Sequence, residues 1–287
     1  MTTVVVGRGA LGTTLHRALV ASGRMCRLVA GRETPLRALE GARVVVLAVP
    51  DARIAEVAAR LAEALPKGAI LLHAAGARTA EELATARAHG ASVAAMHPLV
   101  SFADRKRPPS LAGSTFVISG DAKAVRAARG LARAVGARAL VAPLQGPAYH
   151  AAAALAANGT VGLVHAAVAL LEALGADRRA AERALAGLLR TVVSNVEHVG
   201  VPNALTGPIA RGDAETVAAH RRAIASVAPE VLAAYDGAAP AILACAEARG
   251  LPDDRARAIE AALSVTPPRR AAGSRARSRS RRPRPRA

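Results

Sequence analysis

The first half of the chain alternates short runs of β-branched and other apolar residues with segments that are apolar at helical spacing. The runs predict seven strands at residues 3–6, 25–30, 43–49, 69–73, 92–96, 114–119 and 137–142. Helices are predicted between most of them. This alternation is typical of an α/β fold with a doubly wound, parallel, Rossmann-type sheet. Right-handed crossovers would bring the carboxyl ends of the strands to one edge.

From residue 148 onward the hydrophobic pattern is helical. It predicts helices near residues 148–175, 178–199 and 213–226, then one from Pro229 to Gly250 with an interruption at Asp236 and Gly237, and a short last helix. Pro143 to Pro147 breaks the alternation of strands and helices. We therefore predict a dinucleotide-binding Rossmann-like domain over residues 1–145, an all-helical domain for substrate binding or dimerisation over residues 146–265, and a disordered Arg-rich tail over residues 266–287.

The formal net charge of +18 is unevenly distributed along the chain. Residues 267–287 hold nine Arg and no acidic residue, which leaves +9 for the rest. A low-complexity basic tail attracts nucleic acid only non-specifically, and two Phe, two Tyr and no Trp cannot build a base-stacking platform. Nucleic acid is therefore expected, if at all, only at the tail.

The remaining composition indicates a cytoplasmic protein. Cys26 and Cys245 lie in separate apolar runs and are expected to be core thiols in a reducing compartment. No signal peptide fits the N-terminus. Ala139 to Leu171 carries no formal charge, but its prolines, histidines and asparagine favour a buried helix over a membrane span. No Cys/His cluster has metal-ligand spacing, so no metal is expected.

Glycines at positions 7, 9 and 12 follow the first strand and open the first helix, which is the context that a dinucleotide fingerprint requires. Gly7 permits the tight turn, Gly9 lets the backbone approach a pyrophosphate, and Gly12 lets the helix pack closely on the strand. The free N–H groups of the helix would bind the phosphates. The predicted phosphate-binding residues are Gly7, Arg8, Gly9, Ala10, Leu11 and Gly12.

The end of the second strand indicates which dinucleotide is bound. NAD sites usually place an acidic residue there, whereas this chain has Arg32, which can pair with a 2′-phosphate and favours NADP. Glu33 follows one residue later and keeps NAD as the alternative. Further cofactor contacts are expected where the next strands end, at Val49, Pro50, Asp51, Ala75 and Gly76.

Two histidines are candidates for handling the proton that accompanies hydride transfer. His150 shares a helical face with Asn158 near the start of the second domain. His97 follows a strand at the expected binding edge, and Ser101, four residues later, is a candidate for substrate binding. The competing interpretation of each histidine is a structural one.

Two residues of the second domain are candidates for substrate binding. Arg211 could hold a substrate carboxylate in a bidentate pair, with Thr206 nearby in the same loop. Asp213 is expected to cap the helix that follows rather than to act as a base.

Five motifs carry a family resemblance: GRGALG (7–12), AVPD (48–51), MHPLVSF (96–102), YHAAAALAAN (149–158) and ALTGPIARGD (204–213). Together they resemble a bacterial family of Rossmann-like proteins whose C-terminal half is a domain of unknown function. That family is similar to the wider group with a 6-phosphogluconate dehydrogenase-like helical domain, which includes hydroxyacid dehydrogenases, ketopantoate reductase, pyrroline-5-carboxylate reductase and prephenate dehydrogenase. The resemblance implies a nicotinamide-dependent oxidoreductase that dimerises through its helical domain.

The chain departs from some of these relatives at one position. Hydroxyacid dehydrogenases and ketopantoate reductase place a catalytic lysine near where His150 falls, but all three lysines here precede residue 124. His150 therefore substitutes as the acid or base, as a histidine does in prephenate dehydrogenases, or the chemistry differs. The sequence predicts an NADP-dependent oxidoreductase acting on a small carboxylate-bearing carbonyl, hydroxyl or imine compound, with a ketopantoate-reductase-like role as one specific form. The alternative is a nucleotide-binding or scaffold protein without catalysis.

Overall fold

The computed structural model describes residues 2–32, 34, 36–104 and 106–265. Glu33, which kept NAD as an alternative, and the tail at residues 266–287 lie outside the described residues. The chain forms two compact units, and the division falls between Asn158 and Gly159. It falls later than the predicted boundary after Gln145 because the helix that begins at Pro147 packs within the first unit.

The first unit is built on a seven-stranded sheet in the order β2-β1-β3-β4-β5-β6-β7. The predicted strands and the doubly wound fold class are confirmed. All neighbouring pairs are parallel except β5 and β6, which are antiparallel. A parallel pair needs a crossover, usually helical, and the described residues between β5 and β6 contain no helix. The strands are β1 (Thr2–Val6), β2 (Cys26–Val29), β3 (Ala42–Leu47), β4 (Ile70–His73), β5 (Ser92–Pro98), β6 (Thr115–Gly120) and β7 (Arg138–Val141).

Helices cover both faces of this sheet, because side chains alternate along each strand. Val4 and Val6 of β1 are fully buried in the core on one face, together with residues of α2 and α3. Val5 lies in the opposite core with residues of α1 and α4. The helices of the first unit are α1 (Ala10–Ala21), α2 (Ile54–Ala62), α3 (Ala84–Ala88), α4 (Ala122–Ala134) and α5 (Pro147–Ala154).

The second unit is helical, as predicted. The predicted helix over residues 148–175 is formed by α5, a π-helical turn at Leu155–Gly159 and α6. Asp213 caps α9 as expected, since its side chain accepts a hydrogen bond from the Thr216 amide. The helices are α6 (Thr160–Ala173), α7 (Arg178–Val199), α8 (Pro208–Arg211), α9 (Ala214–Val227), α10 (Leu232–Ala248) and α11 (Asp253–Ser264).

The predicted interruption at Asp236 and Gly237 is wrong, because α10 runs through both residues. Arg221 of α9 is buried and donates two hydrogen bonds to the Asp236 carboxylate, at 2.8 and 3.0 Å. It also donates to the carbonyl oxygens of Ala262 and Val265. This guanidinium links α9, α10 and the end of α11. These contacts between helices outweigh the preference of Asp236 and Gly237 for a turn.

Two helical segments, Pro147–Ala173 and Pro229–Ala248, are long and apolar enough to cross a membrane by length and composition alone. Little of Pro147–Ala173 is buried within the chain, so the expectation of a buried helix in this stretch is wrong. One or two such segments are weak evidence for a membrane protein.

Candidate functional site

The glycine turn lies where the direction of the sheet connections reverses. Strand β1 stands between β2 and β3, and ligands of open α/β sheets bind at such a switch point. Gly7 has a φ of +123°, and a Cβ there would lie 2.2 Å from the carbonyl oxygen of Ala48. A Cβ on Gly12 would lie 2.0 Å from the carbonyl oxygen of Gly7. Protein packing alone therefore requires both glycines.

Gly9 is different, because a Cβ there would meet no protein atom within 4 Å. Its φ of −70° is also one that any residue adopts. Gly9 is the N-cap of α1 and supplies no side chain to cap that helix. The first amides of α1 thus face an open, glycine-lined approach, which suits a phosphate group. This is the part of the turn that fits a dinucleotide.

A cleft of about 210 Å³ opens beside this turn. Arginine side chains line it from three elements: Arg8 from the turn, Arg32 after β2 and Arg53 before α2. Arg53 forms an ion pair with Glu56 at 2.6 Å, whereas Arg8 and Arg32 have no ion-pair partner among the described residues. The full lining is Gly7, Arg8, Gly9, Gly31, Arg32, Ala48, Val49, Pro50, Arg53 and Val57. The donors present fit a cofactor that carries several phosphates.

The other residues predicted to bind the cofactor lie outside that lining. Ala10 and Leu11 form the first turn of α1, and Gly12 packs against Gly7. Asp51 begins a short 3₁₀ turn. Ala75 packs in the core, and Gly76 lies beside the histidines described below.

Arg60 of α2 supports the cleft, and sequence reasoning missed it. Its guanidinium donates to the carbonyl oxygens of Gly31 and Arg32 at 2.9 and 2.6 Å. These bonds hold the backbone that presents Arg32. No motif marks Arg53 or Arg60, because their roles depend on where α2 packs.

The residues predicted to be catalytic converge on a second cavity of the first unit, with a volume of about 600 Å³. His97, His150, Asn158 and the predicted substrate residue Ser101 all line it. The two imidazole rings lie at an edge-to-face angle, with their centroids 6.1 Å apart. Strand β5 supplies His97, α5 supplies His150 and the π-helical turn supplies Asn158.

Gly76, in the loop that follows β4, allows the two histidines to approach each other. A Cβ on Gly76 would lie 2.9 Å from His97 Nε2 and 2.9 Å from His150 Nδ1. Any larger residue would displace the rings. Buried His73 supports this loop, since its Nδ1 accepts from the Ala75 amide and its Nε2 donates to the carbonyl oxygen of Thr79.

Tyr149 completes the histidine cavity, and sequence reasoning did not single it out. Its hydroxyl lies 2.8 Å from His97 Nδ1. Burial raises the pKa of Tyr149, so its O–H stays protonated and can donate to that nitrogen. Nε2 then carries the ring proton of a neutral His97. The adjacent Tyr-His pair at positions 149 and 150 was the available signal.

His97 is held neutral by its surroundings. Burial, followed by the charge of nearby His150, lowers the pKa of His97 from 6.5 to about 4. Asp51 opposes this shift. A neutral imidazole with its proton on Nε2 can donate a hydrogen bond from Nε2 near neutral pH, without giving up that proton.

This pKa predicts how stability depends on pH. The unfolded chain protonates His97 at a pH of about 6.5, whereas the folded protein resists protonation until about pH 4. The free energy of unfolding should therefore fall as the pH drops through this window. In His97→Gln this dependence should weaken, as urea unfolding at several pH values would measure. Equal slopes in the two proteins would contradict the assignment.

The remaining predicted substrate residues, Thr206 and Arg211, belong to the second unit. They line a separate cavity of about 370 Å³, together with Arg249 and Arg255. The described residues contain no group of three or more His, Cys, Asp or Glu side chains that could hold a metal ion.

Sequence profiles recognise both halves of the chain. Residues 27–98 match a Rossmann-like domain, and residues 114–242 match the domain of unknown function DUF2520. The chain therefore combines a Rossmann-like domain with a DUF2520 domain. The resemblance noted in the sequence is thereby confirmed. No curated protein matches the chain's sequence.

Solved structures share the fold of this DUF2520 protein. Protein TM1727 from Thermotoga maritima is 25% identical with a TM-score of 0.65, and the match covers 86% of this chain and 99% of that one. An imine reductase from Streptomyces aurantiacus is 18% identical with a TM-score of 0.56, over 91% and 99% of the two chains. Pyrroline carboxylate reductase from Plasmodium falciparum, solved with NADP bound, is 12% identical with a TM-score of 0.54, over 86% and 98%. At these identities the two reductases establish the fold alone.

Proposed function

We propose that this DUF2520 protein is an NADP-dependent oxidoreductase that transfers a hydride to or from a small carboxylate-bearing carbonyl, hydroxyl or imine compound. The observation that carries the proposal is the arginine-lined cleft at the glycine turn of the sheet. The first unit also holds the cavity of His97, Tyr149 and His150. Two solved structures of the same fold are named as reductases, one with NADP bound.

Different residues of the cofactor cleft would bind different parts of NADP. The amides at the start of α1 bind the pyrophosphate, and Gly9 leaves its backbone accessible. Arg32 pairs with the 2′-phosphate, and Arg8 adds positive charge beside it. NADPH bound in this cleft supplies the hydride.

The histidine cavity would handle the proton. His97 would donate a hydrogen bond from its neutral Nε2–H to the reacting oxygen or nitrogen, with Tyr149 holding its Nδ1. His150, whose Nδ1 approaches the same point beside Gly76, would exchange the proton with that atom, and Asn158 and Ser101 would supply further hydrogen bonds. Thr206 and Arg211 line the separate cavity of the second unit, and their predicted role there is to bind a carboxylate.

A spectrophotometric assay tests the proposal. NADPH oxidation would be followed with a panel of 2-oxo acids and cyclic imino acids, and NADP reduction with 2-hydroxy acids. We expect turnover of at least one compound and a loss of activity when its carboxylate is replaced by an amide. Tight NADPH binding with no turnover across the panel would instead favour the non-catalytic nucleotide-binding alternative.

We further propose a cytoplasmic homodimer that forms through the helical unit. Large apolar side chains are exposed on α6 and α7, and isolated chains rarely leave so many uncovered. They are Val161, Leu163, Leu188, Val192, Val193, Val196 and Val199. Sedimentation equilibrium should give a dimer mass that Val193→Glu reduces to that of the monomer. A monomeric parent protein would contradict this proposal.

A further inference from the structure

The cavity around Thr206 and Arg211 is strongly basic. It lies in the second unit, where the loop before α8, the end of α10 and the start of α11 come together, and it holds about 370 Å³. Three of its lining residues are Arg211, Arg249 and Arg255, and none is acidic. The full lining is Leu205, Thr206, Gly207, Ala210, Arg211, Ala246, Arg249, Gly250, Leu251, Pro252 and Arg255.

Two of these guanidinium groups are held in place by the backbone. Arg249 donates to the carbonyl oxygen of Leu205 at 2.6 Å, and Arg255 donates to the carbonyl oxygen of Arg211 at 3.1 Å. A Cβ on Gly212 would lie 2.7 Å from Arg255 Cβ, so the glycine makes room for that side chain. Each guanidinium has five N–H groups and uses one of them here. The others are available to a ligand with little further loss of side-chain entropy.

No carboxylate among the described residues forms an ion pair with any of the three. The nearest acid to Arg211 in the sequence, Asp213, accepts hydrogen bonds from both the amide and the hydroxyl of Thr216. These bonds are the main cause of its lowered pKa, with a smaller contribution from the charge of Arg211. By contrast, buried Arg221 of the same unit is paired with Asp236. The cavity therefore carries positive charge that the protein does not neutralise.

We propose that Thr206, Arg211, Arg249 and Arg255 form a binding site for a small oxyanion with at least two negative charges, of the dicarboxylate or phosphate type. Planar guanidinium groups bind both kinds of oxyanion in bidentate pairs. The inference goes beyond the proposed function, because the cavity lies wholly within the second unit.

Calorimetric titration of the full-length, NADPH-saturated protein with malonate, inorganic phosphate and acetate tests this inference. Saturation with NADPH keeps the probes out of the cofactor cleft. Malonate or phosphate should bind at least roughly tenfold more tightly than singly charged acetate. Arg249→Gln and Arg255→Gln should each weaken that binding roughly tenfold. Arg257→Gln, on the exposed side of the same α11, is the matched control and should change nothing.

The outcomes separate the two sources of the anion and the two proposals. Binding of malonate alone identifies a dicarboxylate, and binding of phosphate alone identifies a phosphorylated ligand. Failure of both probes to bind, or an equal loss in Arg257→Gln, overturns the inference while NADPH binding remains intact. Failure of the parent protein to bind NADPH would overturn the proposed function instead.

Discussion

His97→Ala and His150→Ala should each lower kcat by about 10²–10⁴-fold on whichever carboxylate compound the protein turns over. Both imidazoles line the same cavity, and Gly76 allows their nitrogens to approach one point. The loss should fall mainly on kcat, because the hydrogen bond from His97 strengthens as charge develops on the reacting atom and the proton that His150 exchanges moves only during the reaction. Steady-state assays at saturating NADPH would measure it.

Two further variants make this prediction specific. His89→Ala is the matched control, because His89 is an exposed histidine that hydrogen-bonds only within its own helical segment, to the carbonyl oxygen of Thr85. Its activity should be unchanged. Tyr149→Phe removes the hydroxyl that orients His97 and should have an intermediate effect. If His97→Ala and His150→Ala both retained full turnover, the assignment of these residues would be wrong.

Gly12→Ala should mainly lower stability and Gly9→Ala should mainly lower NADPH affinity, although both alter the same turn. The Cβ that Gly12→Ala adds would clash with the carbonyl oxygen of Gly7. We expect this clash to cost about 3 kcal/mol in the free energy of unfolding. A Cβ on Gly9 meets no protein atom, so stability should fall only by the cost of Ala at an N-cap, about 1 kcal/mol or less. It would occupy the approach to the pyrophosphate and weaken NADPH binding by roughly tenfold or more.

Urea unfolding and calorimetric titration measure the two effects separately. Gly130→Ala is a suitable control for NADPH binding, because its Cβ also meets no protein atom and it lies on α4, outside the cofactor cleft. Its NADPH affinity should equal that of the parent protein. Unchanged NADPH affinity in Gly9→Ala would mean that no ligand approaches the turn.

Local patterns predicted the elements of this fold, and contacts between distant segments account for the differences. The strands were predictable because a buried parallel strand is apolar along its whole length. The antiparallel pairing of β5 and β6 was not, because it follows from a connection without a helix. The continuity of α10 through Asp236 depends on Arg221, a residue of another helix.

The candidate site likewise combines residues that local patterns indicate with residues that only long-range packing brings together. The glycine turn and the histidines at element ends carry local signals, so the sequence indicated them. The hydrogen bond between Tyr149 and His97 joins positions 52 residues apart, and that juxtaposition exists only after the sheet forms. No motif marks Arg53, which joins the cofactor cleft only through packing, or Arg249 and Arg255, which join the basic cavity of the second unit in the same way.

Calorimetric titration of the purified protein with NADPH and, separately, with NADH tests the central claim most directly. We expect tight binding of NADPH and weaker binding of NADH. Arg32→Ala should remove the difference by weakening NADPH alone, while Arg37→Ala, another exposed arginine of the same segment, should preserve it. Absence of binding by either nucleotide would contradict the account, because the glycine turn and its arginine-lined cleft would then serve only the packing of the fold.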